Sequence, residues 1–150
     1  MELGLCKYKE VKTNMEELTH NAKIAVLRIL NDIVNADNII KDVELKYMNE
    51  IARSFELADN YMDEVNNLVT LQALAIVRTL SADFKKKIAQ MMGKMIVIDK
   101  DINYNEVKLY NAVCESCNIE KDFNIEDYPG LTFSGPFVNP EDFAIVFRPL

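Results

Sequence analysis

The chain has no tryptophan, a single histidine (His20), three cysteines, and only four glycines and four prolines in 150 residues. So few turn formers leave little material for a loop-built enzyme, and the glycines are too scattered to form a phosphate-cradling loop. No run of eighteen apolar residues occurs, which excludes an ordinary membrane-spanning helix. The odd cysteine count fits a reducing compartment better than a disulfide framework. Positive charge is also scarce, with 17 Lys and Arg against 24 Asp and Glu for a net charge of −7. Counterion release therefore cannot drive binding to nucleic acid, and anionic membranes are equally poor partners. His20 has no Ser or Cys nucleophile in a turn motif to serve, so a catalytic triad has nothing to stand on and no enzyme is expected. Leu3-Gly4-Leu5-Cys6 imitates a lipobox but lacks the basic and apolar stretches that precede one, which makes the cytoplasm the expected location.

What is present is hydrophobic content of 49% in a chain the length of one compact domain. All four prolines fall after Tyr128, and before them apolar residues recur at helical spacing. Leu18, Ala22, Val26, Ile29, Leu30 and Ile33 predict a first helix ending near Ala36. Leu45, Met48, Ile51, Ala52 and Phe55 predict a second. Residues 61–80 read as one helix that is apolar nearly all round at 71–77, which is the pattern of a central helix covered by its neighbours. Ser81 caps the next, with Asp83 in its first turn and Phe84, Ile88, Met91, Met92 and Met95 inward. Val107, Tyr110, Val113, Cys114 and Cys117 form the last stripe. The expected fold is all-α, a helical bundle over residues 1–127, with an irregular Pro/Phe-rich tail, 128–150, that packs back on it. Within the tail, Phe143–Phe147 is the candidate short strand.

Sliding the sequence over itself by 62 positions superposes Asp37 on Asp99, Ile40 on Ile102, Glu44 on Glu106 and Ser54 on Ser116. Apolar positions follow: Leu45 meets Val107, Ile51 meets Val113, Phe55 meets Cys117 and Leu57 meets Ile119. Each copy reads as a helix, a loop opening with Asp, and a second helix with Glu in its first turn. A lone helical hairpin cannot bury its stripe, so two copies related by a pseudo-twofold are the expected architecture.

Ala36-Asp37-Asn38-Ile39-Ile40-Lys41-Asp42-Val43-Glu44 resembles the Ala-Asp-Gly-x-Ile-x-x-x-Glu signature of the TerB-like tellurite-resistance domains. Ile98-Asp99-Lys100-Asp101-Ile102-Asn103-Tyr104-Asn105-Glu106 is similar to a second copy of it, and the resemblance runs from about residue 15 to 120. It implies an all-helical bacterial stress-response module, sometimes attached to co-chaperone-type proteins, with divalent-metal binding through the acidic positions. The signature glycine is replaced by Asn38 and by Lys100. Lysine adopts left-handed geometry reluctantly, so the second loop is expected to differ in shape.

Asp37, Glu44, Asp99 and Glu106 are accordingly the candidate metal ligands, because carboxylate oxygens are what hard divalent cations take, whichever ion it is. The competing explanation is helix capping. Asn103 and Glu106 make a good capping box, whereas Lys41, the corresponding cap, cannot accept a hydrogen bond and leaves Glu44 less well explained that way. The stretch from Asp99 begins like an EF-hand loop, but Tyr104 stands where the turn needs glycine and Tyr110 where the bidentate Glu belongs. An incomplete oxygen site of Asp99 and Asp101 remains open. Cys114-Glu115-Ser116-Cys117 lies inside a helix and reads as buried core rather than a redox or zinc motif, and the methionine stripe as core filling. His20 reads as a surface residue. Partners are thus a divalent cation, or a protein bound by the acidic loops or the aromatic tail.

Overall fold

Thr19 opens the first helix, its hydroxyl oxygen accepting a hydrogen bond from the Ala22 N–H at 3.1 Å. In this computed structural model, which describes residues 18–123 and 125–135, α1 spans His20–Val34 and runs into a 3-10 turn, Asn35–Asp37. It is followed by α2 (Asp42–Ser54), α3 (Tyr61–Asn67), α4 (Thr70–Arg78), α5 (Ala82–Val97) and α6 (Tyr104–Cys117). The described residues form an all-α, six-helix bundle. Ser81 caps α5 as its sequence predicts, accepting from the Phe84 N–H at 3.3 Å.

The central helix is α1, and this corrects the expectation placed on residues 61–80. Ten of the fifteen residues of α1 are buried, and it packs against each of the other five helices. Residues 61–80 instead break in two, because Leu68 and Val69 are extended (ψ 126° and 143°). Of the second piece only Ala73 and Val77 are buried, while Leu71 is 77% exposed. Apolar residues all round a helix bury only as many faces as there are neighbours to cover them, and α4 is covered by α1 and, less extensively, by α6, which leaves its outer face open. Small Ala73 lets the face on α1 come close. Thr70 fastens the junction, donating its hydroxyl to Asp32 at 2.8 Å beside the Arg28–Asp32 ion pair of α1 at 3.2 Å.

The remaining inward stripes follow the periodicity with one correction: Leu45, expected on the α2 stripe, is 40% exposed in the first turn of α2, and Phe84 and Met91 of α5 are only partly buried. Met48, Ile51, Ala52 and Phe55 are buried from α2, Ile88, Met92 and Met95 from α5, and Val107, Tyr110, Val113, Cys114 and Cys117 from α6. Gly93 of α5 has a specific reason to be glycine, since a Cβ there would sit 2.5 Å from the Phe123 ring. That ring meets Tyr110 edge-on and stacks on Tyr128, with centroids 5.3 Å apart in the stack.

One feature departs from an all-helical chain. β1 (Asp101–Asn103) and β2 (Thr132–Ser134) form a two-stranded parallel ladder with Ile102 opposite Phe133. Phe133 of β2 packs against the core. Phe137, Phe143, Phe147 and the candidate strand Phe143–Phe147 lie outside the described residues, as does Cys6.

The backbone carries matched features 62 positions apart. Among the described residues, the non-glycine positions with positive φ are Asn38 and Lys100 (62° and 65°) and Glu56 and Asn118 (59° and 58°). Asn38 N–H donates to Asn35 C=O at 3.0 Å and Lys100 N–H to Val97 C=O at 2.9 Å. Leu57 N–H reaches Ala52 C=O at 3.0 Å and Ile119 N–H reaches Cys114 C=O at 2.8 Å. The expected difference in shape at Lys100 is thus overturned at the turn itself. A hydrogen bond from β2 ties down this left-handed lysine, whose conformation is intrinsically costly: Lys100 C=O accepts from Thr132 N–H at 3.1 Å.

Candidate functional site

The first acidic loop leaves α1 through the 3-10 turn. Asp37 accepts from the Ile39 N–H at 3.0 Å, which folds the carboxylate over the left-handed Asn38. α2 then starts behind Lys41, whose side chain cannot cap it. Glu44, third residue of α2, reaches back and accepts from the Lys41 N–H at 3.0 Å. Lys41 sends its ammonium the other way, onto Asp99 of the second loop.

The second loop repeats the turn, with Asp99 accepting from the Asp101 N–H at 3.1 Å. Asn103 caps α6 by accepting from the Asn105 N–H at 2.8 Å. Here the capping expectation needs correcting at both loops. Glu106, expected to complete the box, makes no hydrogen bond among the described residues, whereas Glu44, the less expected partner, does. Asp101 is engaged by β2, accepting from the Thr132 and Ser134 hydroxyls at 2.5 and 2.6 Å, and Asn103 donates to the Ser134 oxygen at 3.2 Å. The open suggestion of an Asp99 and Asp101 oxygen pair meets these commitments, since Asp99 faces Lys41 and Asp101 faces β2.

Glu44 and Glu106 are both buried. Burial pushes the Glu106 carboxyl up to about 9, and the neighbouring charges of Glu44, Asp37 and Asp99 push the same way against Lys41. Glu44 is also raised, by burial first, then by Asp99 and Asp37, while the Lys41 N–H and the ammonium oppose the rise. Lys41 is raised chiefly by its hydrogen bond to Asp99. Asp37, Glu44, Asp99 and Glu106 therefore lie within one electrostatic neighbourhood, drawn from two loops 62 positions apart. They are not closed around an ion-sized centre: among the described residues no group of three or more His, Cys, Asp and Glu stands in metal-holding reach. The donors suit a hard cation in kind, and Glu106 is a largely buried residue in this cluster.

Sequence reasoning missed Lys41 as the internal cation of this cluster and Asp101 as the anchor of β2. Nothing local marks Lys41. Asp101 carries a signal, being polar where the position 62 residues earlier is Ile39. The other motifs settle as core or surface: Cys114 and Cys117 are buried free thiols, with Cys114 pushed up to about 11 by burial. His20 is exposed and pairs with Glu64 at 2.8 Å.

No protein-family model and no curated protein matches the chain. Among solved structures, it is similar to a protein of unknown function, PG1108, from Porphyromonas gingivalis W83, with 24% identity and a TM-score of 0.58. The match covers 68% of this chain and 80% of that one. It shows a shared fold. Among the described residues no helix is long and apolar enough to cross a membrane.

Proposed function

We propose that this chain is a TerB-like, non-enzymatic module built from a duplicated helix-loop-helix unit with a pseudo-twofold, and that its two acidic loops bind one divalent cation. The observation that carries the reading is that Asp37, Glu44, Asp99 and Glu106, drawn from two loops, lie in one electrostatic neighbourhood in which Glu44 and Glu106 are buried. The matched positive-φ residues and turn hydrogen bonds at one constant spacing support the duplication.

In this reading Lys41 and the proton on Glu106 are the internal competitors of the ion. A cation entering the cluster displaces the ammonium from Asp99 and the proton from Glu106, and the four carboxylates supply oxygen ligands. Binding then releases protons and strengthens as pH rises toward 9. The test is calorimetric titration of chelator-treated protein with calcium, magnesium, manganese and zinc, repeated in buffers of different ionisation enthalpy. Saturable, proton-releasing binding that disappears in a folded Glu44→Gln, Glu106→Gln variant supports it. Absence of heat with every ion, or heat indifferent to the substitutions, sinks it.

A second reading, a metal-independent interaction scaffold or co-chaperone-like adaptor, draws support from a different surface. Val69 and Leu71 stand 58% and 77% exposed, two positions apart at the start of α4, large apolar side chains left to solvent. Partner binding that ignores chelator but is lost in Leu71→Asp would favour the scaffold over the cation site.

A further inference from the structure

The second acidic loop carries a strand, and the first presents a matching edge that is bare among the described residues. β2 lies parallel on β1, with Thr132 N–H donating to Lys100 C=O at 3.1 Å. In a parallel ladder one residue turns both its N–H and its C=O toward the partner. That bond and the register give this role to Ile102, which is fully buried.

The first loop follows the same left-handed turn, and Lys41 is extended ahead of its helix as Asn103 is (ψ 150° and 129°). A strand laid on it as β2 is laid on β1 would use the Asn38 C=O, the Ile40 N–H and the Ile40 C=O. Those three groups make no hydrogen bond among the described residues. The N–H groups that would face away, of Ile39 and Lys41, are already taken by Asp37 and Glu44 at 3.0 Å each. The side chains differ in the same sense: Ile40 is 49% exposed where Ile102 is fully buried, and Leu45 is 40% exposed where Val107 is fully buried. Unpaired backbone flanked by exposed apolar side chains is a template for one more strand.

We infer that residues 38–41 dock an extended segment of a partner protein, added as a parallel strand that is apolar at its centre and basic at its ends. The apolar centre follows from what it meets. Thr132 and Ser134 set their hydroxyls on Asp101, but the matching position in the first loop is Ile39, 58% exposed, which suits β-branched residues at those two places and a large apolar one between them, as Phe133 is. The basic ends follow from charge. Asp37 and Asp42 make no ion pair among the described residues, and Lys41, the single cation of residues 37–44, is engaged by Asp99. A second copy of this chain, with its net charge of −7, has the wrong sign for that rim. The inference rests on the matching backbones of the two loops and not on the cation reading.

The probe is a blocked peptide, Lys-Lys-Val-Phe-Val-Lys-Lys, titrated into the dilute full chain with chelator present and followed by NMR. The expected result is saturable shifts of the Ile39, Ile40 and Lys41 amides, with about tenfold slower hydrogen exchange at Ile40. Glutamate in place of the lysines should weaken binding roughly tenfold or more. Proline in place of both valines, which deletes the N–H groups that match Thr132 and Ser134, should abolish it. No saturable shift at Ile40, shifts spread over the acidic surface, or binding indifferent to the prolines or to the charge overturns the inference. So does an Ile40 amide already protected in the peptide-free chain: protection that survives dilution makes the occupant the chain's own, and protection lost on dilution makes it a second copy. Every arm uses the parent fold, and the chelator keeps the outcome separate from any cation site.

Discussion

Glu44 and Glu106 hold the same position, third in a helix that follows a left-handed turn, yet their fates differ. In the first loop the cap residue is a lysine, so the α2 terminus relies on the carboxylate reaching back to the Lys41 N–H. In the second, Asn103 does the capping itself and also donates to Ser134 of β2, and Glu106 is left buried without a bond among the described residues. The comparison teaches that two loops with matching turns need not share their electrostatics. Burial and the carboxylates of Glu44, Asp37 and Asp99 push the Glu106 carboxyl up, and the lysine lent by the first loop makes an ion pair of Asp99.

The strongest way to break the comparison is to strip the cover from the second loop. Ile102→Ala removes a fully buried side chain and should cost about 3 kcal/mol in urea unfolding. Ile40→Ala, at a half-exposed position, should cost less than half as much. Equal losses would mean that the two loops are equally covered.

Next is the buried acid itself. Raised to about 9 in the fold from an ordinary value near 4.5, Glu106 keeps its proton in the native state while the unfolded chain gives it up. The folded state therefore binds more protons between those values, and stability falls as pH rises from about 5 to 9. Glu106→Gln should flatten that decline and, at pH 8, raise stability by about 2 kcal/mol. Glu44→Gln keeps an oxygen for the Lys41 N–H and should change stability by less than about 1 kcal/mol. Unfolding curves at pH 5, 7 and 9 separate the two.

Lys41→Met withdraws the competing ammonium from Asp99 while keeping an unbranched side chain. Under the cation reading it should tighten divalent binding about tenfold, roughly 1.4 kcal/mol, as read by the same calorimetry. Unchanged or weaker binding would place Lys41 outside the competition.

The smallest effect concerns the turn residues. Lys100→Gly relieves a left-handed lysine and should stabilise by about 0.5 kcal/mol, with Asn38→Gly nearer zero because asparagine tolerates that geometry. Thermal denaturation of the pair would show whether the turns carry unequal strain.

Much of the fold was legible in the chain because the interactions that set it are local. Thr19 and Ser81 bond to N–H groups three residues on, and the stripes of α1, α2, α5 and α6 repeat every three or four residues. Those spacings act within one or two turns and need no partner to be read. Buried Cys114 and Cys117 were foreseen for the same reason, as positions on a stripe. The constant offset of 62 positions was visible as well, and with it the choice of Asp37, Glu44, Asp99 and Glu106.

Tertiary structure decided the rest. Whether α4 or α1 lies at the centre depends on how many faces find neighbours, which apolar content does not count. The Lys41–Asp99 pair joins residues 58 apart and the Asp101–Ser134 bond residues 33 apart, with no periodicity between them to betray the contact. The protonation of Glu106 depends on how much water its neighbours exclude and on three other carboxylates brought up by the fold. Composition and spacing name the charged groups, but the free energy of each charge is set by the distances and solvent exposure that packing imposes.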